Sequence, residues 1–276
     1  MRLLPVAVLA LSSVLHAQGE PSLDSVLTRM RAYLADYART LPSVIATEKY
    51  DQRAGSGARR KPRHLESDYG LIQLRGDPGW LGFREVLAVD GKRVNDSASR
   101  LAELLSNPSE GALKQARRIA EESSRYNVGP VIRTINDPVV VLEVFDARNS
   151  DRLLFVKNGE ATIRDTRVWV LGFREMGRPT LIQTSTRQDL PARGRAWVDP
   201  QTGRVLRGEV TVEPGLGMTA TVDVTFELDA RLGFAVPSKM TERYTNRNLM
   251  TVSSGDATYS NYRRFSVETQ ENIPVK

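Results

Sequence analysis

Two stretches of the chain carry the same five residues. Leu81-Gly82-Phe83-Arg84-Glu85 and Leu171-Gly172-Phe173-Arg174-Glu175 are each closely preceded by a tryptophan, Trp80 and Trp169. On extended backbone alternate side chains share a face, so Leu81 goes with Phe83 and Leu171 with Phe173, while Gly82 and Gly172 leave the other face open. The chemistry such a pattern offers is apolar: two walls of a cavity lined by Trp80, Phe83, Trp169 and Phe173, with close backbone access for a ligand. The same pattern also makes ordinary core strands whose glycines let a sheet curve. A second candidate is anion recognition. The stretch 53–63 (RAGSGARRKPR) holds Arg53, Arg59, Arg60, Lys61 and Arg63. It reads as a flexible basic loop able to meet a lipid headgroup, a lipopolysaccharide phosphate or an acidic cell-wall polymer, or simply as a solvated loop.

Parts for catalysis are scarce. There is no cysteine, which excludes disulfides, thiolate nucleophiles and Cys-ligated metals. The two histidines are His16 and His64. Ser–His–Asp catalysis and multi-histidine metal sites therefore lose their usual parts. His64 sits beside Arg63, whose charge disfavours a second one, and it reads as a surface residue. Gly215-Leu216-Gly217-Met218-Thr219-Ala220 matches a dinucleotide fingerprint in letters only, because a period-two strand follows where that turn needs a helix. The carboxylate pairs Glu121-Glu122 and Glu268/Glu271 fall in exposed segments. No catalytic residue, metal ligand set or cofactor is expected. An enzyme would have to work with carboxylates or arginines alone, in a cleft where two carboxylates face each other.

The elements that must position these residues begin with a leader. Met1-Arg2 followed by the apolar run Leu3–Leu15 and by His16-Ala17 predicts a secretory signal peptide over 1–17, too short to span a bilayer. Its removal leaves one histidine and no transmembrane span, and places the chain in the periplasm or outside the cell. Export, together with the lack of aromatics within the basic stretch, disfavours nucleic acid as a partner. Arginine supplies 32 of the 39 cations, spread over the whole chain, so the net charge of +6 reads as solubility rather than a footprint.

Residues 18–276 read as one domain, mostly β with α. Apolar residues at spacings of three and four predict a helix over 21–41, stopped by Pro42. The period then becomes two, with Val44, Ala46, Glu48 and Tyr50 on one side of a first strand and Ile45, Thr47 and Lys49 on the other. A strand over 64–74 and a turn at 76–79 come next, then a hairpin over 83–94 closing on Asp90-Gly91. A helical insertion covers 96–126, with a start signal at Asn107-Pro108-Ser109-Glu110. Val139–Phe145 suits either a short helix or a buried strand. Beyond Asp151 nearly everything alternates: a hairpin turning at Asn158-Gly159, strands over 167–176 and 180–186, and a pair closing on Asp199–Gly203. Strands over 218–228, 234–247 and 250–268 follow. About ten to twelve short-spaced antiparallel strands predict a sandwich, a barrel or a strongly curved sheet, with the helices covering one face or plugging the concavity.

The order of these elements, with W-V-D-P-Q-T-G-R-V at 197–205 and A-T-Y-S-N-Y-R-R-F-S-V at 257–267, resembles the periplasmic lipoprotein-carrier (LolA/LolB-like) half-barrel superfamily, which includes periplasmic sensor domains of envelope-stress regulation. The resemblance implies an incomplete antiparallel barrel whose concave apolar face, lidded by an N-terminal helix and by a helical insertion near 96–145, holds acyl chains. The chain is longer than the compact carriers and has no lipid-anchoring cysteine. The expectation is an exported cell-envelope protein holding a lipid, acyl chain or other apolar ligand. The alternative is an envelope protein-interaction or stress-sensor module without a small-molecule ligand.

Overall fold

The computed structural model describes residues 20–40, 44–56, 59–73, 80–94, 99–106, 111–129, 133, 135–184, 186–215 and 217–264. The expected leader over 1–17, the turn at 76–79, the helix start at 107–110 and the chain beyond Arg264 lie outside them. Helix α1 spans Leu23–Thr40. Strands β1 (Val44–Ser56), β2 (Arg59–Gln73), β3 (Trp80–Val89) and β4 (Lys92–Arg93) lead to helices α2 (Arg100–Ser106), α3 (Ala112–Ser124) and α4 (Val140–Val144) and a 3-10 turn at Ala147–Arg152. Seven strands complete the fold: β5 (Leu153–Ile163), β6 (Thr166–Glu175), β7 (Arg193–Val198), β8 (Val205–Gly215), β9 (Met218–Asp229), β10 (Phe234–Asn246) and β11 (Thr251–Arg264).

All eleven strands join one antiparallel sheet in the order β4-β3-β2-β1-β11-β10-β9-β8-β7-β6-β5. Two meanders, β4 to β1 and β11 to β5, are stitched together where the first strand pairs with the last, Val44 opposite Arg264 through Ser56 opposite Thr251. The end strands β4 and β5 do not pair with each other, so the sheet is a curved half-barrel and not a closed one.

Each face of the sheet has its own cover. Helix α1 starts under a Ser22 side chain that accepts from Ser25 N at 3.2 Å. It turns Val26, Leu27, Met30, Leu34 and Tyr37 onto the concave face, where they merge with the main core. The turn at Asp199–Gly203 fits beneath it. Asp199 accepts from Gln201 N (2.9 Å) and Thr202 Oγ1 (2.7 Å), and Gly203 takes φ 76° hard against the α1 backbone at Arg29, where a Cβ has no room. On the convex face α2 and α3 bury Leu101, Leu104, Ala116 and Ile119 against Ile45 and Phe83. Buried Glu85 caps α2 by accepting from Leu101 N at 2.7 Å and Arg100 Nε at 2.9 Å.

Four readings of the sequence change. The basic stretch 53–63 is not a loop, because β1 runs to Ser56 and β2 starts at Arg59 with Ser56 opposite Arg59. The third strand, β11, pairs with Ala54, Gly55 and Ser56 and extends the ladder, while Asp90 holds the Arg63 guanidinium at 3.1 Å. The pair Asn158-Gly159 makes a bulge inside β5, with the register slipping between Lys157 and Gly159, and the hairpin closes at Arg164-Asp165 instead. Residues 180–186 form no ladder strand; one isolated bridge joins Gln183 and Asp189. The insertion divides into α2 and α3, and Val139–Phe145 resolves as helix.

Candidate functional site

Strand pairing lays side chains of the concave face into rows. One row begins at Gln52 on β1 and runs through Gly255, Glu242, Val222, Val210 and Gly194 to Phe173 and Phe155. The row is polar at the β1 end and apolar at the β5 end. The neighbouring row, from Tyr50 through Met240 and Val224 to Leu171, repeats the gradient. Across both lie residues 127–129, 133 and 135–145 of the insertion, polar residues first and α4 last. Its buried members Ile135, Val139, Val141, Leu142, Val144 and Phe145 belong to the same core as Phe173 and Val210.

The polar half holds two ion pairs. The Arg84 guanidinium meets the Glu48 carboxylate two-pronged, with Nη2 to Oε1 at 2.6 Å, and stacks 4.8 Å above the Tyr50 ring. Arg133, from the insertion, donates to Glu242 of β10 with both side chains fully buried, and the Tyr50 hydroxyl donates to the same Glu242 oxygen. Among the described residues the Arg133 Nε and the second Glu242 oxygen have no partner, though both are buried. Gly255 leaves the space that the Tyr50 ring and Glu242 occupy. Gln52 ties the same segment down by donating to Asn127 Oδ1 (2.6 Å) and accepting from Val128 N (2.9 Å). Tyr69 donates to Asp137, which also accepts from Val139 N at 3.0 Å. A recess of about 270 Å³ opens beside this network, between α3 and strands β2 and β3, reached by Tyr69, Arg84, Glu121, Asn136 and Asp137.

Burial penalises the charged forms of these groups. Desolvation pushes the Tyr50 phenol up to about 12 and raises Tyr69 well above the ordinary phenol value, so both stay donors at neutral pH. Desolvation also raises Asp137 above 3.8, against the lowering effect of its bond from Tyr69. The folded chain therefore holds the Asp137 proton more tightly than the unfolded one. That contribution is complete below about pH 3.8 and fades as pH rises through the folded value. Ionising Asp137 in these surroundings is a cost. Asp137→Asn, whose amide oxygen still accepts from Tyr69 and Val139, is expected to melt above the parent at pH 7 to 8, with the gain shrinking towards pH 4. Melting curves across that range check it, and a gain that grows on acidification would contradict it.

The recess presents two carboxyls, buried Asp137 and exposed Glu121, while Glu48 is committed to Arg84 beside it. His64 lies on β2 against Asp51 at 2.8 Å, part-exposed. Among the described residues no group of three His, Cys, Asp or Glu is placed to hold a metal ion.

The apolar half centres on Phe145, at the end of α4. Its ring meets Phe173 edge-on with centroids 4.9 Å apart and lies 6.2 Å from Phe155. Val141 of α4 sits over Gly208, where a Cβ would strike it. Trp169 is buried in the same core, and the Lys157 ammonium rests 3.7 Å from its ring centroid. Trp169 and Phe173 are thus brought together, while Phe83 faces the other way, into the α2/α3 cluster. The structure describes only the backbone of Trp80 and of Arg59, Arg60 and Lys61; Arg63 reaches Asp90 and donates to Tyr126 O at 2.9 Å. The polar half went unread in the sequence. Its signal was Glu48 and Tyr50 alternating with Val44 and Ala46, an acid on an otherwise apolar face.

No family model and no curated protein matches the chain. Among solved structures it is similar to a domain described as an outer membrane lipoprotein-sorting protein from Vibrio parahaemolyticus, at 15% identity over 90% of this chain and 94% of the other, with a TM-score of 0.45. A LolA superfamily protein from Nitrosomonas europaea aligns at 12% identity over 88% of this chain and 94% of that one, with a TM-score of 0.33. The lipoprotein LppX from Mycobacterium tuberculosis aligns at 12% over 92% and 99%, with a TM-score of 0.28. Nothing about ligand or partner follows from these likenesses. The incomplete antiparallel barrel implied by the sequence resemblance is the architecture the strand order gives.

Proposed function

We propose that this chain is an exported cell-envelope protein that binds an amphiphile, a lipid or acyl chain with a polar head, on its concave face in the place taken by a segment that includes Asn127, Arg133 and residues 135–145. The observation that carries this reading is the match between that segment and the face beneath it. Asn127, Arg133 and Asp137 occupy the polar end, and Val141, Leu142 and Phe145 the apolar end. The segment fills the concavity as an amphiphile would. Helix α4 has five residues, too few to stand without packing, so the lid is an element that can leave. In this reading Trp169 and Phe173 contact the apolar part of the ligand.

The test is native mass spectrometry and solvent extraction of the purified chain, followed by titration with palmitate while Trp emission is read. Co-purified lipid, or a saturable emission change from Trp169, is expected. A ligand-free protein whose emission does not respond to palmitate would overturn the proposal. Among the described residues no helix is long and apolar enough to cross a membrane.

A further inference from the structure

Strand β5 ends the sheet, and among the described residues no other strand pairs with its outer edge. Natural edges of this length are usually blunted by charge, proline or a bulge. Here the bulge at Asn158 disrupts only the second half. The first half, Leu153 to Lys157, keeps a regular ladder, about 17 Å of unpaired backbone donors and acceptors. Its convex-facing side chains are Leu154 and Val156, each 51% exposed. Val156 stands opposite Gly172, which offers no side chain to cover it. A groove of about 460 Å³ follows, running from Leu154 and Val156 past the Asn158 side chain, which lies over Gly172, to Arg174, Arg193 and Arg195.

The charges in the groove are unbalanced. Arg193 is paired with Glu213, and Arg195 with Glu209 at 2.9 Å. Arg174 stands directly opposite Arg193 in the β6–β7 ladder and opposite Leu154 in the β5–β6 ladder. Among the described residues no carboxylate lies within ion-pair distance of it. Like charges facing each other across a ladder destabilise the pair unless an anion joins them. A strand added outside β5 would lie about 5 Å away, leaving Arg174 two strand spacings off, about 10 Å, which an arginine and a glutamate span together.

We propose that the β5 edge and this groove dock an extended acidic segment of a partner protein. The segment adds a twelfth strand along Leu153–Lys157, lays apolar side chains on Leu154 and Val156, and pairs a carboxylate with Arg174. This site is on the convex face and stands apart from the concave ligand site.

The probe is a fluorescein-labelled peptide, Thr-Val-Thr-Glu-Thr-Val, whose valines and glutamate share one face of a strand, read by anisotropy against the full chain. Two controls accompany it, one with lysine for glutamate and one with proline for both valines. Saturable binding of the acidic strand peptide alone is expected, weakened about tenfold by Arg174→Glu, the loss of one charge-assisted contact. Arg174 and Val156 are exposed, so R174E and a second variant, Val156→Asp, should melt as the parent does; V156D should also abolish binding. Equal affinity for the proline peptide, or indifference to R174E, overturns the proposal. So does competition by phosphatidylglycerol vesicles, which would make the groove a lipid surface, or a dimeric mass that V156D converts to monomer, which would give the edge to a second copy. Palmitate binding to the concave face serves as the independent control.

Discussion

Replacing Arg133 by methionine is expected to cost about 3–5 kcal/mol of folding stability, the usual effect of breaking a fully buried ion pair from one side. The reason lies in what is left behind. Glu242 is 2% exposed on a central strand, and the Tyr50 hydroxyl becomes its one remaining donor; its second oxygen already has none. A carboxylate stripped of its cation there must either stay charged in a poor solvent or take up a proton at a cost. In a chain of this size the loss translates into a melting point lower by roughly 10 °C. Removing both partners is a different experiment. Arg133→Met with Glu242→Met leaves no stranded charge, and the double variant is expected to recover most of the loss, giving a coupling energy of at least about 2 kcal/mol in the cycle. Urea unfolding of the four proteins measures it. A single variant that loses less than about 1 kcal/mol would mean that water reaches Glu242, and the polar lock described above would not exist.

Why this lock escaped the sequence while the fold did not is a matter of range. Helix α1 is legible because its apolar spacing and the following Pro42 are local, and the Asp199–Gly203 turn because its proline, aspartate and glycine act within five residues. The misplaced turn at Asn158-Gly159 is also local, but ambiguous: Asn-Gly serves a bulge as readily as a hairpin tip, and the neighbours of β5 decide between them. The stretch 53–63 looked like a loop because its cations repel, and its third-strand partner lies two hundred residues away in sequence. Arg133 and Glu242 are separated by 109 positions and sit in stretches with no distinctive motif. Their meeting requires the insertion to cross the concave face, which no periodicity encodes. The repeated Leu-Gly-Phe-Arg-Glu string misleads for the same reason. Identical letters face α2 and α3 in one copy and the main core in the other, since the two strands enter the sheet in opposite phase to their covers.

The second large effect concerns the lid. Phe145→Ala removes a ring that is 2% exposed and packed against Phe173 and Phe155, and core truncations of this kind cost about 3–5 kcal/mol. Where that cost falls is informative. Helix α4 is held by Val141, Leu142 and Val144 with Val139 and Phe145 at its ends and supplies no strand to the sheet, so the segment can detach while the eleven-stranded sheet stays folded. If it does, F145A lowers the global melting point by less than the local loss, and the lid-open fraction rises by about two orders of magnitude for 3 kcal/mol. A ligand that needs the open state then binds up to about 100-fold tighter, because its apparent affinity scales with the competent fraction. The expected result is therefore a pair: faster amide exchange at 135–145 with the β-sheet amides still protected, and a stronger response to palmitate than in the parent. Decanoate should also raise the F145A melting point more than the parent's, since an apolar chain can refill the space beside Phe173. The concave-face reading fails if exchange at 135–145 accelerates and palmitate affinity does not change, because the lid would then open onto a surface that holds nothing.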